Sequence, residues 1–159
     1  LKALAAIEDK SLHWHLEILG DGSLRQPLEQ LARSILPVGS YTFHGNISEI
    51  LPYYQNADFM VVPSIFEGFS IVTIEAFRSG LPVVASNLEG PAELIKHGDN
   101  GLLFTPGSVA ACKAAIMTLL YNSELEEKLS KGARNAFEAR FKTEFYFSTI
   151  LNIYKGGTI

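Results

Sequence analysis

Apolar positions along this chain fall in short blocks separated by polar breaks, and the blocks alternate between continuous runs and helical spacing. Residues 1–7 are apolar and Ala-rich and read as the tail of a helix, closed by the polar break Glu8, Asp9, Lys10 and Ser11. The mixed segment 13–19 reads as a strand, which Gly20-Asp21-Gly22 ends. Ser23 and Gln26 stand at capping-box spacing before Leu24, Leu28, Leu31, Ala32 and Ile35, so a helix is expected there, with Pro27 tolerated in its first turn. Residues 41–43 predict a short strand stopped by His44-Gly45, and Asn46 with Glu49 offers a second cap for a helix reaching Gln55. Residues 57–63 and 81–86 are continuous apolar runs, as strands buried on both faces of a parallel sheet require. A further strand is expected over 100–104, a helix from Ser108 to about Tyr121, and another from the Ser123/Glu126 pair toward Phe141.

Strand and helix alternate five times, which predicts a parallel α/β sheet with right-handed crossovers, a Rossmann-like layered fold. Ligands of such sheets bind beyond the carboxyl ends of the strands, which points to the loops at 20–23, 44–47, 64–70 and 87–91. The length of 159 residues fits one domain over the whole chain. Thirteen Lys and Arg against seventeen Asp and Glu give a net charge of −4, so a nucleic-acid partner is disfavoured. The lone Cys112 has no internal disulfide partner, and a reduced, cytoplasmic setting is the expectation. The four histidines lack metal-ligand spacing, so no metal is expected, and Trp14 and His15 read as packing residues. The sequence opens on Leu1 inside an apparent helix, so a longer parent chain is expected.

Gly20-Asp21-Gly22 follows a strand and opens a helix, as a dinucleotide loop does, but Arg25 stands where a third glycine belongs. A tight turn, or a loop approaching another phosphate or sugar, are the remaining readings. Residues 70–79 have strand propensity in Ile71 to Ile74, yet Gly80 followed by Leu81-Pro82 looks like a helix C-cap, so a helix is expected, buried on nearly every side. It carries Glu75. A buried carboxylate needs partners, and either a ligand hydroxyl pair or an internal salt bridge to Arg78 or Lys96 would supply them.

Glu67 and Glu75 stand with seven residues between them in E-G-F-S-x-x-x-x-E, after Pro63-Ser64 and before Ser79-Gly80-Leu81-Pro82. This pattern resembles the E-x7-E signature of retaining glycosyltransferases of GT-B architecture, in particular glycosyltransferase family 4. Other segments are similar in the same order: Leu19 to Leu24 to V-G-D-G-P-L, Phe43-His44-Gly45 to F-x-G, Asn56-Ala57-Asp58 to A-A-D, Gly98 to Leu103 to G-x-x-G-L-L, and Arg140-Phe141 to R-F. The likeness covers residues 14–154. It implies the C-terminal, donor-binding half, whose first strand, with an arginine and a lysine for the donor diphosphate, would precede Leu1 together with the acceptor-binding half. Glu89-Gly90 replaces the usual Gly-Gly.

What the resemblance implies is a nucleotide-sugar donor, a UDP-sugar favoured over a GDP-sugar, and transfer of its sugar to an acceptor in polysaccharide or glycoconjugate synthesis. Glu67 would be the catalytic carboxylate, receiving donor-sugar hydroxyls. Gly20, Gly22, Gly68, Phe69 and Ser70 would lie along the sugar and diphosphate, Glu75 on the ribose hydroxyls, and His44, Gly45, Asn46 and Ile47 on the base. No cofactor or metal is implied, and the chain's own N-terminal acceptor domain would be its partner, with any peripheral membrane contact made by that half at the cytoplasmic face. A GT-B-like nucleotide-sugar epimerase half and a non-catalytic α/β module are the alternatives.

Overall fold

The computed structural model describes residues 1–142. Twelve elements alternate as foreseen: α1 (Lys2–Ala5), β1 (Leu16–Leu19), α2 (Arg25–Ile35), β2 (Tyr41–Gly45), α3 (Leu51–Asn56), β3 (Met60–Val62), α4 (Ile71–Arg78), β4 (Val83–Ser86), α5 (Glu89–Leu94), β5 (Gly101–Phe104), α6 (Val109–Leu120) and α7 (Ser123–Arg140). Every ladder is parallel, as continuous apolar strands joined by helices demand. The strands do not form one sheet. β1 pairs with β2 from Leu16↔Tyr41 to Leu19↔Gly45, with a register shift after Ile18, while β3, β4 and β5 form a separate ladder through Met60↔Val83 and Val83↔Gly101.

The second ladder has a core on each face. Val83 and Ala85 point to a cluster with Tyr54, Val62, Phe77 and Leu94, and Val84 points the other way, to Leu102, Phe104, Ile116, Leu119 and Leu129. The pleat sends neighbours to opposite faces, so a strand covered on both sides must be apolar throughout, and all four residues of β4 are buried.

Several expected starts move. Ser23 does not cap α2, whose N-cap is Leu24; the Asp21 carboxylate instead takes the Gly22 N–H (2.7 Å) and Arg25 (3.0 Å), organising the turn from two residues further upstream. Asn46 does not cap α3 either. That helix starts after Ile50, where Pro52 in the first turn sacrifices only an N–H that would have no helical partner. For α7 the cap is Asn122, accepting from the Leu125 N–H at 2.9 Å, with Ser123 already inside the helix. The strand expected over 57–63 shortens to Met60–Val62 because Ala57 ends α3. α5 starts at Glu89, two residues before Pro91. The aromatic residues Phe145, Tyr146, Phe147 and Tyr154, and the fraying expected over 145–159, lie outside the described residues.

Candidate functional site

α4 is the helix that the Gly80 signal implied. Gly80, at φ +73°, and Leu81 return their N–H groups to Phe77 O (3.0 Å) and Ala76 O (2.9 Å), which ends the helix in a left-handed cap. Its surroundings differ from expectation. Thr73, Ala76 and Phe77 face the core, but Ile71 (63% exposed), Val72 and Glu75 face outward. One side of α4 covers the sheet and the other borders open space, so Glu75 is not a buried charge.

Among the described residues no ion pair joins Glu75 to Arg78 or Lys96. Its hydrogen bond comes from Tyr54 Oη to Oε2 at 3.0 Å. Burial first, then this bond, pushes the Tyr54 phenol above its ordinary range, so the hydroxyl stays a proton donor. Glu67 is half-buried and accepts from Ser64 Oγ at 3.2 Å. Ser70, fully buried, is the N-cap of α4 without bonding the backbone through its side chain; its Oγ accepts from Thr73 Oγ1 at 2.9 Å. The first N–H groups of α4 are therefore uncapped by a side chain, at the positive end of the helix.

Gly68 has no positive φ, and the space where a side chain would stand is open. The close approach belongs to Gly90: a Cβ there would lie 2.6 Å from Gly68 O and 3.0 Å from Glu67 O. The N-terminal turn of α5 is thus seated on the main chain that carries Glu67, and Glu89, the residue that replaces a glycine, is exposed beside it. Ile65, Phe66 and Phe69 stand exposed on the same loop, and Ile71 and Val72 are exposed at the start of the helix that follows.

The loops after β1 and β2 are joined to each other. Gly20 N–H donates to Gly45 O at 2.7 Å, both glycines having positive φ (114° and 73°), which supports the turn reading of Gly20-Asp21-Gly22. Arg25 clamps this junction, bonded to Asp21 and to Glu29 (2.9 Å) and lying where a Gly45 side chain would be. An apolar cleft of about 210 Å³ lies beneath, lined by Ile18, Leu19, Gly20, Gly22, Leu24, Leu28 and Phe43 among others. It contains Gly20 and Gly22 but none of the residues at α4. His44 bonds Glu17 on β1, and Tyr53 Oη lies 3.3 Å from its Nδ1, so α3 touches the 44–47 loop with Tyr53 and Glu75 with Tyr54. Asn46 is exposed and Ile47 half-buried in that loop. His15, expected as packing, is exposed and bonds Gly39 O and Thr42 Oγ1. No group of three His, Cys, Asp or Glu side chains able to hold a metal occurs among the described residues. Nor is any described helix long and apolar enough to cross a membrane.

Sequence reasoning missed Tyr54, Gly90, Arg25 and Glu17. Gly90-Pro91 at a helix start carried a usable signal, since a glycine there permits close packing. Tyr54 and Glu17 are joined to the site by contacts across the fold, which carry no local mark, whereas Arg25 bonds Asp21 and Glu29 four residues to either side, a spacing that the sequence does show.

Residues 1–136 match the family model described as glycosyl transferases group 1. The sulfoquinovosyl transferase SQD2 of Arabidopsis thaliana is 35% identical over 141 residues, 87% of this chain and 27% of that protein. A glycogen synthase of Mycobacterium tuberculosis is 28% identical over 141 residues, again 87% of this chain and 34% of that protein. Among solved structures, sucrose-phosphate synthase from Thermosynechococcus elongatus superposes with TM-score 0.85 at 29% identity, covering 97% of this chain and 40% of its own. Anabaena Alr3699/HepE in complex with UDP-glucose does so with TM-score 0.85 at 25% identity, over 97% of this chain and 43% of its own. The chain thus spans well under half the length of each of these relatives.

Proposed function

The chain belongs to the group 1 glycosyl transferases, and on that premise we propose that it is the C-terminal, donor-binding half of a retaining enzyme of family 4 type. The donor is a nucleotide-sugar, a UDP-sugar before a GDP-sugar; the HepE structures, which hold UDP or UDP-glucose, support this choice. The product is a polysaccharide or glycoconjugate made at the cytoplasmic face, and the acceptor is presented by the protein's own N-terminal domain. The exposed Ile65, Phe66 and Phe69 are the kind of surface that such a facing half would cover.

The observation that carries the reading is the state of Glu75: an exposed carboxylate beside an uncapped helix start, held by one neutral hydroxyl and with no cation paired to it among the described residues. Such a group suits a vicinal diol, which donates two charge-assisted bonds worth roughly 1.5 to 3 kcal/mol each. The sugar and diphosphate then run past the α4 start, with Glu67 accepting from sugar hydroxyls, Gly68, Phe69 and Ser70 offering main-chain N–H groups, Gly20 and Gly22 bordering the other side, and the base lying at His44, Gly45, Asn46 and Ile47. Glu67 and Glu75 share the donor side, so they do not form the acid and base pair of a hydrolase. The reaction proceeds by stabilising the departing diphosphate and an oxocarbenium-like centre, without a metal. A strand ahead of Leu1 carries cationic side chains toward the donor diphosphate. This half alone binds the donor weakly and does not transfer, since acceptor and donor must be held together by both halves.

Titration of the protein and of Glu75→Gln with UDP and UDP-glucose tests the reading. The expected result is a loss of affinity of roughly tenfold or more with the melting temperature nearly unchanged. Unchanged affinity with a melting temperature several degrees lower makes Glu75 a structural group.

A further inference from the structure

Glu75 projects from a helix into open space, where a glutamate with three free torsions would lose rotamer entropy on binding any ligand. Tyr54 removes much of that freedom. Its ring is buried, 6% exposed, in the cluster containing Val62, Ala76 and Phe77, so the phenol oxygen can occupy only a narrow range of positions. From there the hydroxyl reaches the rim of the core and donates to Oε2 of Glu75 at 3.0 Å. A neutral donor orients the carboxylate and leaves its charge uncompensated, whereas a lysine or arginine in the same place would compete with an incoming hydroxyl for it. Tyr54 also sits next to Tyr53, whose hydroxyl lies 3.3 Å from His44 Nδ1, so one turn of α3 spans the distance between the loop after β2 and Glu75.

From this geometry we infer that Tyr54 is a positioning residue for nucleotide recognition: its hydroxyl holds Oε2 of Glu75 and presents Oε1 to the ribose 2′-hydroxyl of the donor. The inference rests on the reading of Glu75 as the ribose-binding carboxylate. It separates two roles that a buried tyrosine can combine, filling the core with its ring and aiming a neighbour with its hydroxyl. Removing the hydroxyl alone keeps the first and abolishes the second.

The test compares the full-length protein with Tyr54→Phe and Glu75→Gln, measuring calorimetric affinity for UDP and for 2′-deoxy-UDP, melting temperature, and transfer kinetics with the nucleotide-sugar. Tyr54→Phe is expected to weaken UDP roughly five- to twentyfold, to leave 2′-deoxy-UDP nearly unchanged, and so to reduce the preference for the ribonucleotide toward unity. The donor KM rises by a similar factor while kcat at saturating donor stays within about twofold. Equal weakening of both nucleotides, or no weakening of either, makes Tyr54 a packing residue and overturns the inference, provided that Glu75→Gln still abolishes the preference. Should the unaltered protein bind both nucleotides equally and Glu75→Gln change neither affinity, the ribose reading falls, and the positioning role falls with it.

Discussion

The two ladders share parallel pairing and helical connections, yet they are buried very differently. Every residue of β4 is buried, and the strands on both sides of it contribute to two cores. In the β1–β2 ladder only Gly45 is buried; Tyr41 is half-exposed, and so are Ile18, Leu19 and Phe43, which line an apolar cleft. The difference separates anchoring from contact. The three-stranded ladder fixes α4 and α5, and hence Glu67 and Glu75, on a fully packed base. The two-stranded one holds the 44–47 loop through polar and main-chain links: Gly20 to Gly45, His44 to Glu17, and Arg25 to Asp21 and Glu29. Stability should concentrate in the first, and adaptability to the nucleotide base in the second.

The sharpest way to break this contrast is a pair of truncations. Phe77→Ala, in the core behind α4, is expected to cost about 3 to 5 kcal/mol, whereas Phe43→Ala on half-exposed β2 should cost only about 1 to 2. Denaturant midpoints at constant slope measure both, and equal losses would place the two ladders on the same footing. Gly90→Ala probes the packed base at the point where it carries the site. The added methyl meets the Glu67 and Gly68 carbonyls, so the main chain must shift: donor affinity should fall roughly tenfold, or about 1.4 kcal/mol, and the melting temperature should fall with it, because the clash is with backbone. Arg25→Ala tests the other ladder. Losing its bonds to Asp21 and Glu29 is expected to leave global stability nearly unchanged and to raise hydrogen exchange at Gly45 before it affects β4.

The smallest effect is a pH dependence. Burial, with Asp58 and Glu127 nearby, pushes the Glu126 carboxyl above its ordinary range. The unfolded chain then ionises first as pH rises, so stability falls between the ordinary glutamate value and the raised one and stays lower above it. Glu126→Gln should raise stability at neutral pH by at most about 0.5 kcal/mol, and the gain should vanish in acid below the ordinary glutamate range.

The same contrast explains what could be read beforehand. The strands at 81–86 and 100–104 were legible because burial on both faces writes itself into every residue. α4 was legible despite its strand-forming Ile71 to Ile74, since Gly80 marks the end of a helix through local backbone geometry. That Ile71 and Val72 would face outward was not, for both are as apolar as the buried Ala76 and Phe77 and only the packed fold distinguishes Ile71 from Phe77. The division into two ladders was equally hidden, because alternation of elements does not state which strands become neighbours. The spacing of Glu67 and Glu75 pointed to the loop and helix. Tyr54 and Gly90 reach those residues across 21 and 22 positions of sequence respectively, to Glu75 and Gly68, distances over which no periodicity operates.

Among the described residues every ladder joins strands that follow one another in the chain: β1 with β2, β3 with β4, β4 with β5. Such an order keeps each chain closure to a single strand-helix-strand step, so the entropy lost before the first pairing contacts form is small for each one. Folding can therefore start at either ladder without waiting for the other, and the rate should lie toward the fast side for a parallel α/β protein. The β3–β4–β5 segment, with its two dense cores, is the natural place for the folding nucleus. Mutations there should slow refolding, whereas those around β1 and β2 should chiefly hasten unfolding.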